Sequence, residues 1–319
     1  MLNRRAFVRG AISAGLALPV ATEAQQSGNL PRVGYVQPDV PTAVLLRKVF
    51  LEGLRERGWS DGRNVAIDWR RRDEEIADLV RLKIDVLVLP SPYRIEAGLK
   101  QTTTIPIVTV DLESDPVAKG WLKSLARPGG NITGVWMDFP DIAGKQLQML
   151  KEGVPAVRTV AVVWDERVAS LQYAATQTAA QALDITVQSA ALPHESAADD
   201  VVKRALPGKP QAILMLTSPI VFRAQRRIAE LAVKHRLPTF SGFSTFPDEG
   251  GLMAYGPDFP AMWHQMAGYV DRILRGAHPA EMPVERPSKF KLVINRKIAR
   301  ALGLAIPPSL LLRADHVVE

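Results

Sequence analysis

The feature that most constrains this chain is an alternation that runs through it twice. Short apolar runs rich in β-branched residues give way to stretches of helical period, and the series restarts near residue 160. The first set has strand-like runs at Val33–Val36, Val65–Trp69, Val86–Leu89 and Ile105–Val110. Between them lie a helical pattern through Val44, Leu45, Val49, Leu51 and Leu54 that Gly58 ends, a helical period over 76–82, and a short helix near 95–101. The second set places strands at Val160–Trp164, Ile185–Gln188, Ala212–Leu216 and Leu237–Phe240, with helices over 169–183, 196–205 and 220–235. Val86-Leu-Val-Leu89 and Ala212-Ile-Leu-Met-Leu216 are apolar without interruption, as parallel strands buried on both faces must be. The expected fold class is α/β: two Rossmann-like lobes with parallel sheets, each about a hundred residues long.

A third section implies that the lobes are joined more than once. Gly250–Gly256 reads as a glycine-flanked strand, 259–275 as one amphipathic helix, 277–283 as a connector and Lys289–Asn295 as a last strand before a helix from Arg296. Strand, helix and strand left over after two complete lobes predict a multi-stranded hinge, which lets a clamp open and close in alignment. The partition expected is 30–134 plus 250–280 for lobe 1 and 135–249 plus 281–319 for lobe 2, with the joint near the turn-rich Gly129–Gly134.

Residues 1–24 read as a twin-arginine signal peptide. Asn3-Arg4-Arg5-Ala6-Phe7-Val8-Arg9 is followed by an apolar stretch over 11–18, by Pro19, and by small residues leading to a cut after Ala24. Cleavage there removes Arg4, Arg5, Arg9 and Glu23 and lowers the formal charge from +7 to +5. The remaining basic clusters are short. Arg70-Arg71-Arg72 runs directly into Asp73-Glu74-Glu75, the pattern of a solvated face, so no nucleic-acid partner is expected. The absence of cysteine excludes disulfides, thiolate metal sites and a lipid-anchored N-terminus. The expected location is the periplasm, as a soluble monomer without a lipid anchor.

In open parallel sheets ligands bind beyond the carboxyl ends of the strands, where loops and helix N-termini converge. In the first lobe those ends carry Gln37, Pro38 and Asp39, then Ser91 and Tyr93, then the run from Asp111 to Asp115. In the second they carry Asp165 and Glu166, Thr217 and Ser218, and Ser241 to Phe243, with Tyr255 where the chain crosses back. The ligand-binding set expected is therefore Gln37, Asp39, Ser91, Tyr93, Asp111, Asp115, Asp165, Thr217, Ser218, Phe243 and Tyr255. Plainer roles compete: Ser91, Thr217 and Ser218 suit helix caps equally well, and Asp115 before Pro116 suits a turn. Tyr35, Trp69 and Trp164 read as core. Asp165 suits a ligand ammonium group in a drying cleft.

No G-x-S-x-G elbow is read between a strand and a helix, no G-x-x-x-x-G-K-[ST] loop occurs, and no G-x-G-x-x-G follows the first strand. His194, His235, His264, His278 and His316 are scattered without ligand spacing and read as surface residues. Neither a catalytic group, a metal nor a cofactor is expected. A transcriptional regulator of similar build would need a helix-turn-helix headpiece, and the signal peptide occupies that position.

Motifs spread along the chain resemble the solute-binding components of ABC transporters, which have the type I periplasmic-binding-protein fold. They include Gly62-Arg-Asn-Val-Ala-Ile67, Thr102-Thr-Thr-Ile-Pro-Ile-Val108, Asp115-Pro-Val-Ala118 and Leu125-Ala-Arg-Pro-Gly-Gly-Asn-Ile-Thr-Gly134. Gly250–Gly256, Phe290–Asn295, Ala301-Leu-Gly-Leu304 and Pro307-Pro-Ser-Leu-Leu311 continue the likeness to the end. The resemblance implies an exported protein that captures a small molecule, an amino acid or related compound, without transforming it, and delivers it to an ABC permease in the inner membrane. The alternatives are an exported α/β enzyme, or a protein presenting its ligand to a membrane sensor. Two departures from relatives fall in the first lobe: a short segment between Trp69 and Val86, and the unusual loop Leu89-Pro-Ser-Pro-Tyr-Arg94.

Overall fold

The uninterrupted apolar runs become central strands. In the computed structural model, which describes residues 30–37, 42–137 and 139–319, the first lobe holds β1 (Arg32–Val36), β2 (Ala66–Arg70), β3 (Val86–Val88), β4 (Ile107–Asp111) and β5 (Ile132–Trp136). They pair in the order β2-β1-β3-β4-β5, every pair parallel. Parallel neighbours require crossovers, supplied by α1 (Ala43–Glu56), α2 (Ile76–Arg81) and α3 (Pro92–Leu99). Helices lie on both faces, so Val86, Leu87 and Val88 lose all contact with solvent. The proposed targeting segment 1–24 lies outside the described residues.

The second lobe repeats the scheme. After α4 (Phe139–Gly153) come β6 (Thr159–Trp164), α5 (Ser170–Gln181), β7 (Thr186–Ala191), α6 (Ala198–Ala205), β8 (Ala212–Met215), α7 (Pro219–Lys234), β9 (Thr239–Ser241) and β10 (Met253–Pro257). The order β7-β6-β8-β9-β10 matches the first lobe strand for strand and is again parallel throughout. The chain then forms α8 (Phe259–Leu274), β11 (Phe290–Asn295), α9 (Arg296–Ala301), α10 (Pro308–Arg313) and β12 (His316–Val318). Strand β11 joins antiparallel to β10 and β12 parallel to β11, giving seven strands.

Strand pairing divides the segment 250–280, which the sequence groups with lobe 1. Strand β10 completes the second sheet beside β9, whereas α8 crosses over and packs on α1. There Trp263 Nε1 donates to the buried Tyr35 hydroxyl at 2.6 Å. Glu285 then adds to the first sheet's edge: Glu285 N donates to Gly134 O at 3.1 Å, and Trp136 N to Glu285 O at 3.0 Å. The chain thus passes between lobes three times: from β5 to α4, from β10 to α8, and from Glu285 to β11. Phe259, the first residue of α8, packs against the apolar cores of both lobes.

At β5 the backbone requires glycine. Gly134 has φ +147°, and a Cβ there would stand 2.1 Å from the Thr109 carbonyl oxygen on β4. Neither atom can retreat without breaking the ladder that carries the first crossing. Gly134→Ala is therefore expected to destabilise the protein by about 2 kcal/mol or more, read as a lowered denaturation midpoint at unchanged slope in urea. A midpoint within error of the parent would show that the strands tolerate the extra carbon.

Candidate ligand-binding cleft

Both sheets reverse their strand order at one place, between β1 and β3 in the first lobe and between β6 and β8 in the second. At such a switch point the connections leave in opposite directions and open a crevice beyond the carboxyl ends. The three crossings turn the two crevices toward each other, and side chains from one lobe meet the other. The Tyr93 hydroxyl, at the start of α3, donates to Asp165 Oδ2, just past β6. Thr217 Oγ1, just past β8, lies 3.1 Å from the Leu112 carbonyl oxygen, just past β4. Gln172 holds Thr217 in place, donating to its carbonyl at 3.0 Å and accepting from its N–H at 3.1 Å.

Between the lobes lies a cavity of about 230 Å³. One wall is aromatic: Phe222 from α7, Phe243 after β9, and Phe259 and Trp263 from α8. Phe222 meets Phe243 edge to face at 4.9 Å between ring centres, and Phe259 lies 6.1 Å from Phe243 and 6.0 Å from Trp263. Leu46, Val110 and Leu112 add aliphatic surface, while Ser91, Tyr93, Arg94, Glu113, Ser218 and Arg223 supply polar groups.

Two helix N-termini frame the cavity, each opened by a serine followed by proline. Ser91 Oγ accepts from Arg94 N at 3.5 Å and Ser218 Oγ from Val221 N at 3.1 Å, so both cap their helices and also line the cavity. Ser91 does so with φ +135° and ψ 154°, a conformation open almost only to glycine and costly for a residue with a side chain.

The charges around the cavity are arranged in pairs, except for two neighbouring acids, Glu113 and Asp111. Arg94 Nε contacts Asp73 Oδ1 at 3.0 Å, Arg223 pairs with Glu195, and Arg167 contacts Asp165 at 3.3 Å while its guanidinium lies 5.0 Å from the centre of the Tyr93 ring. Glu113 forms no ion pair among the described residues; its Oε2 accepts from Leu112 N at 3.2 Å, and its carboxyl meets that of Asp111. Beside it, Asp111 Oδ1 accepts from Glu113 N at 2.8 Å and Ser114 N at 3.1 Å, and Asp111 Oδ2 is buried with no hydrogen-bond donor among the described residues. Burial, then the charge of Asp111, pushes the Glu113 carboxyl well above its ordinary range, and burial likewise raises Asp111. Burial, then the bond to Asp165, raises the Tyr93 phenol, so it stays a donor.

Of the positions expected from the sequence, Ser91, Tyr93, Ser218 and Phe243 line the cavity. Asp111, Asp165 and Thr217 stand behind it, tying loops and lobes together. Asp115 forms a turn, accepting from Val117 N at 2.9 Å and Ala118 N at 3.0 Å. Tyr255 faces the other side of the second sheet and stacks on Phe290 at 5.7 Å. Gln37 borders a separate surface groove beside α1, and Asp39 lies outside the described residues. Tyr35 is core, whereas Trp69 and Trp164 are only half-buried. Sequence reasoning did not single out Glu113, Arg94, Phe222, Phe259 or Trp263.

Gly58-Trp-Ser-Asp-Gly62 meets the G-x-S-x-G pattern of a hydrolase nucleophile, but it leads from helix α1 into strand β2, the reverse of a strand-to-helix elbow, and Ser60 is away from the cavity. Among the described residues no group of three His, Cys, Asp or Glu side chains is placed to hold a metal ion, and no helix is long and apolar enough to cross a membrane.

The family described as ABC transporter substrate binding protein matches residues 39–318. A tyrosine-binding protein of Clostridioides difficile is 22% identical over 273 residues, covering 83% of this chain and 78% of that protein. A Streptococcus pneumoniae ABC domain solved in complex with L-Trp superposes with a TM-score of 0.83 at 25% identity, covering 91% of this chain and all of that one. A conserved domain protein from Vibrio cholerae gives the same TM-score, identity and coverage.

The Tyr93–Asp165 bond is a charge-assisted link between lobes, worth about 1.5–3 kcal/mol. Tyr93→Phe keeps the ring and is expected to lower the closed-to-open ratio of the ligand-free protein by roughly tenfold or more. Spin labels on one introduced cysteine per lobe would measure this, since the native chain has none. An unchanged distance distribution would show that the bond does not hold the lobes together.

Proposed function

The chain belongs to the family of ABC transporter substrate binding proteins, and from that membership we propose that it is an exported receptor for an aromatic amino acid or a close relative of one. It holds the solute between its lobes, leaves it chemically unchanged and passes it to a membrane permease. The observation that carries this reading is the cavity itself: an inter-lobe space walled by Phe222, Phe243, Phe259 and Trp263 with a buried carboxylate on its rim. At about 230 Å³ it falls below the roughly 300–1,000 Å³ of pockets for drug-sized ligands, which suits a single amino acid better than a peptide. Four aromatic rings offer stacking and edge contacts to a flat apolar side chain. The tryptophan and tyrosine named for the relatives agree with that wall.

Export rests on residues 1–24, whose arginine pair, apolar stretch and small-residue cut fit a twin-arginine signal. Cleavage would leave a mature protein beginning at Gln25 in the periplasm. The closed arrangement supports a clamp mechanism: solute settles on one lobe, the other swings over it, and the closed form is what the permease engages.

A thermal-shift screen of the chain from Gln25 onward tests the reading. Aromatic amino acids at about 100 times their dissociation constant should add about 2.7 kcal/mol of stability, visible as a raised melting temperature, and should be recovered unaltered. Stabilisation by sugars alone, or recovery of a chemically changed compound, would overturn it.

A further inference from the structure

We propose that Glu113 is the cleft's receptor for a protonated amine, so that the solute is an aromatic ammonium compound presenting its cationic nitrogen to the loop after β4. This rests on the binding-protein reading above and adds the chemistry of the group recognised. Glu113 lines the cavity with only 5% of its surface exposed. The other charged groups around the space already have partners: Arg94 with Asp73, Arg223 with Glu195, and Arg167 with Asp165. Among the described residues Glu113 has no cation beside it: Leu112 N donates to it, and its carboxyl sits within hydrogen-bonding reach of a second acid, Asp111. A carboxylate kept from water without a cation is strongly disfavoured. A donor that brings positive charge into the cavity removes that penalty, and an ammonium group brings three N–H donors with it. The aromatic wall receives the rest of the molecule.

The groups that bear on Glu113's protonation are Asp111 on its own segment, Tyr93 and Arg94 on α3, Asp165 and Arg167 after β6, Asp73 before α2, and Arg223 on α7. Burial and the Asp111 charge raise its carboxyl, so the empty closed cleft keeps a proton there at pH values where an exposed glutamate has lost it. An ammonium ion favours the ionised form, and the proton leaves to solvent as the ligand seats. Binding then releases protons, and affinity increases with pH, by up to about tenfold per unit for one proton, until the raised value is passed. Folding has the opposite pH dependence. A carboxyl raised in the folded state makes the unliganded protein less stable as pH climbs from the ordinary glutamate value to the raised one, and Glu113→Gln removes that loss.

Titration calorimetry with L-tryptophan, tryptamine and indole-3-propionate separates the groups, since the second lacks the carboxylate and the third the ammonium. Measurements from about pH 5 to about pH 8, in buffers of different ionisation heat, count the protons released. The expected result is binding of at least one ammonium compound, tighter at the higher pH with net proton release, and binding of indole-3-propionate weaker by about a hundredfold or more. Glu113→Gln should weaken the ammonium compounds by at least about tenfold, abolish the pH slope, and melt no lower than the parent. Equal affinity for indole-3-propionate in the parent protein, a test that needs no variant, would overturn the proposal. So would a Glu113→Gln protein that keeps both affinity and pH slope. If none of the three binds, the aromatic ammonium class falls, while the broader binding-protein reading is judged by the open thermal-shift screen.

Discussion

The structure depends on one topological constraint: strands that run parallel cannot be joined by turns. Each must be reached by a crossover that returns along a face of the sheet, so helices cover both faces and all carboxyl ends point the same way. In both lobes the connections reverse direction beside the first strand, and the crevice opens there. The helices that follow begin at that edge, which is why Ser91 and Ser218 act as caps and cavity walls at once. Three crossings then fix the two crevices mouth to mouth. A single linker would leave the lobes free to rotate; three strands at one edge leave mainly opening and closing.

Closure changes the electrostatics of whatever it covers. With water excluded, an isolated charge becomes costly and a paired one strong. Most groups in the cleft follow the rule by pairing: Asp165 accepts from Tyr93 and Arg167, and Arg94 meets Asp73. The strained backbone at Ser91 lies two residues before Tyr93, whose hydroxyl reaches across to the other lobe. Asp111 and Glu113 depart from the rule, and they do so at the point where the lobes meet.

The fold was largely legible because most strands carry their own signal, although β5 and β12 do not. Val86–Leu89 and Ala212–Leu216 could be read as buried strands from five residues or fewer, and Gly58 marked a helix end without knowledge of anything distant. What remained hidden depends on partners far away in the chain. The assignment of β10 to the second sheet is decided by Phe240 and Ser241 on one side and Val293 and Ile294 on the other, and glycine-rich flanks say nothing of that. Phe259 and Trp263, four residues apart on α8, look like any apolar stripe of a packed helix; only the crossing before Phe259 turns part of that stripe toward the cavity. Glu113 sits in Glu-Ser-Asp-Pro, a run that reads as a solvated turn. Asp115 does serve as the turn residue, and Glu113, two positions earlier, faces inward.

A clamp that closed firmly when empty would gain little from its ligand, because a solute shifts the lobe equilibrium only by the difference in its affinity for the two states. The contacts between lobes here pull in opposite directions. Tyr93 with Asp165, Thr217 with Leu112, and the aromatic packing through Phe259 all favour the closed form. Removing Asp111 and Glu113 from water opposes it, since one of the pair must take up a proton or remain an unpaired buried charge. A cation in the cavity reverses the second contribution and leaves the first unchanged. The acid pair, which would be a defect in a protein built only for stability, makes closure conditional on the solute.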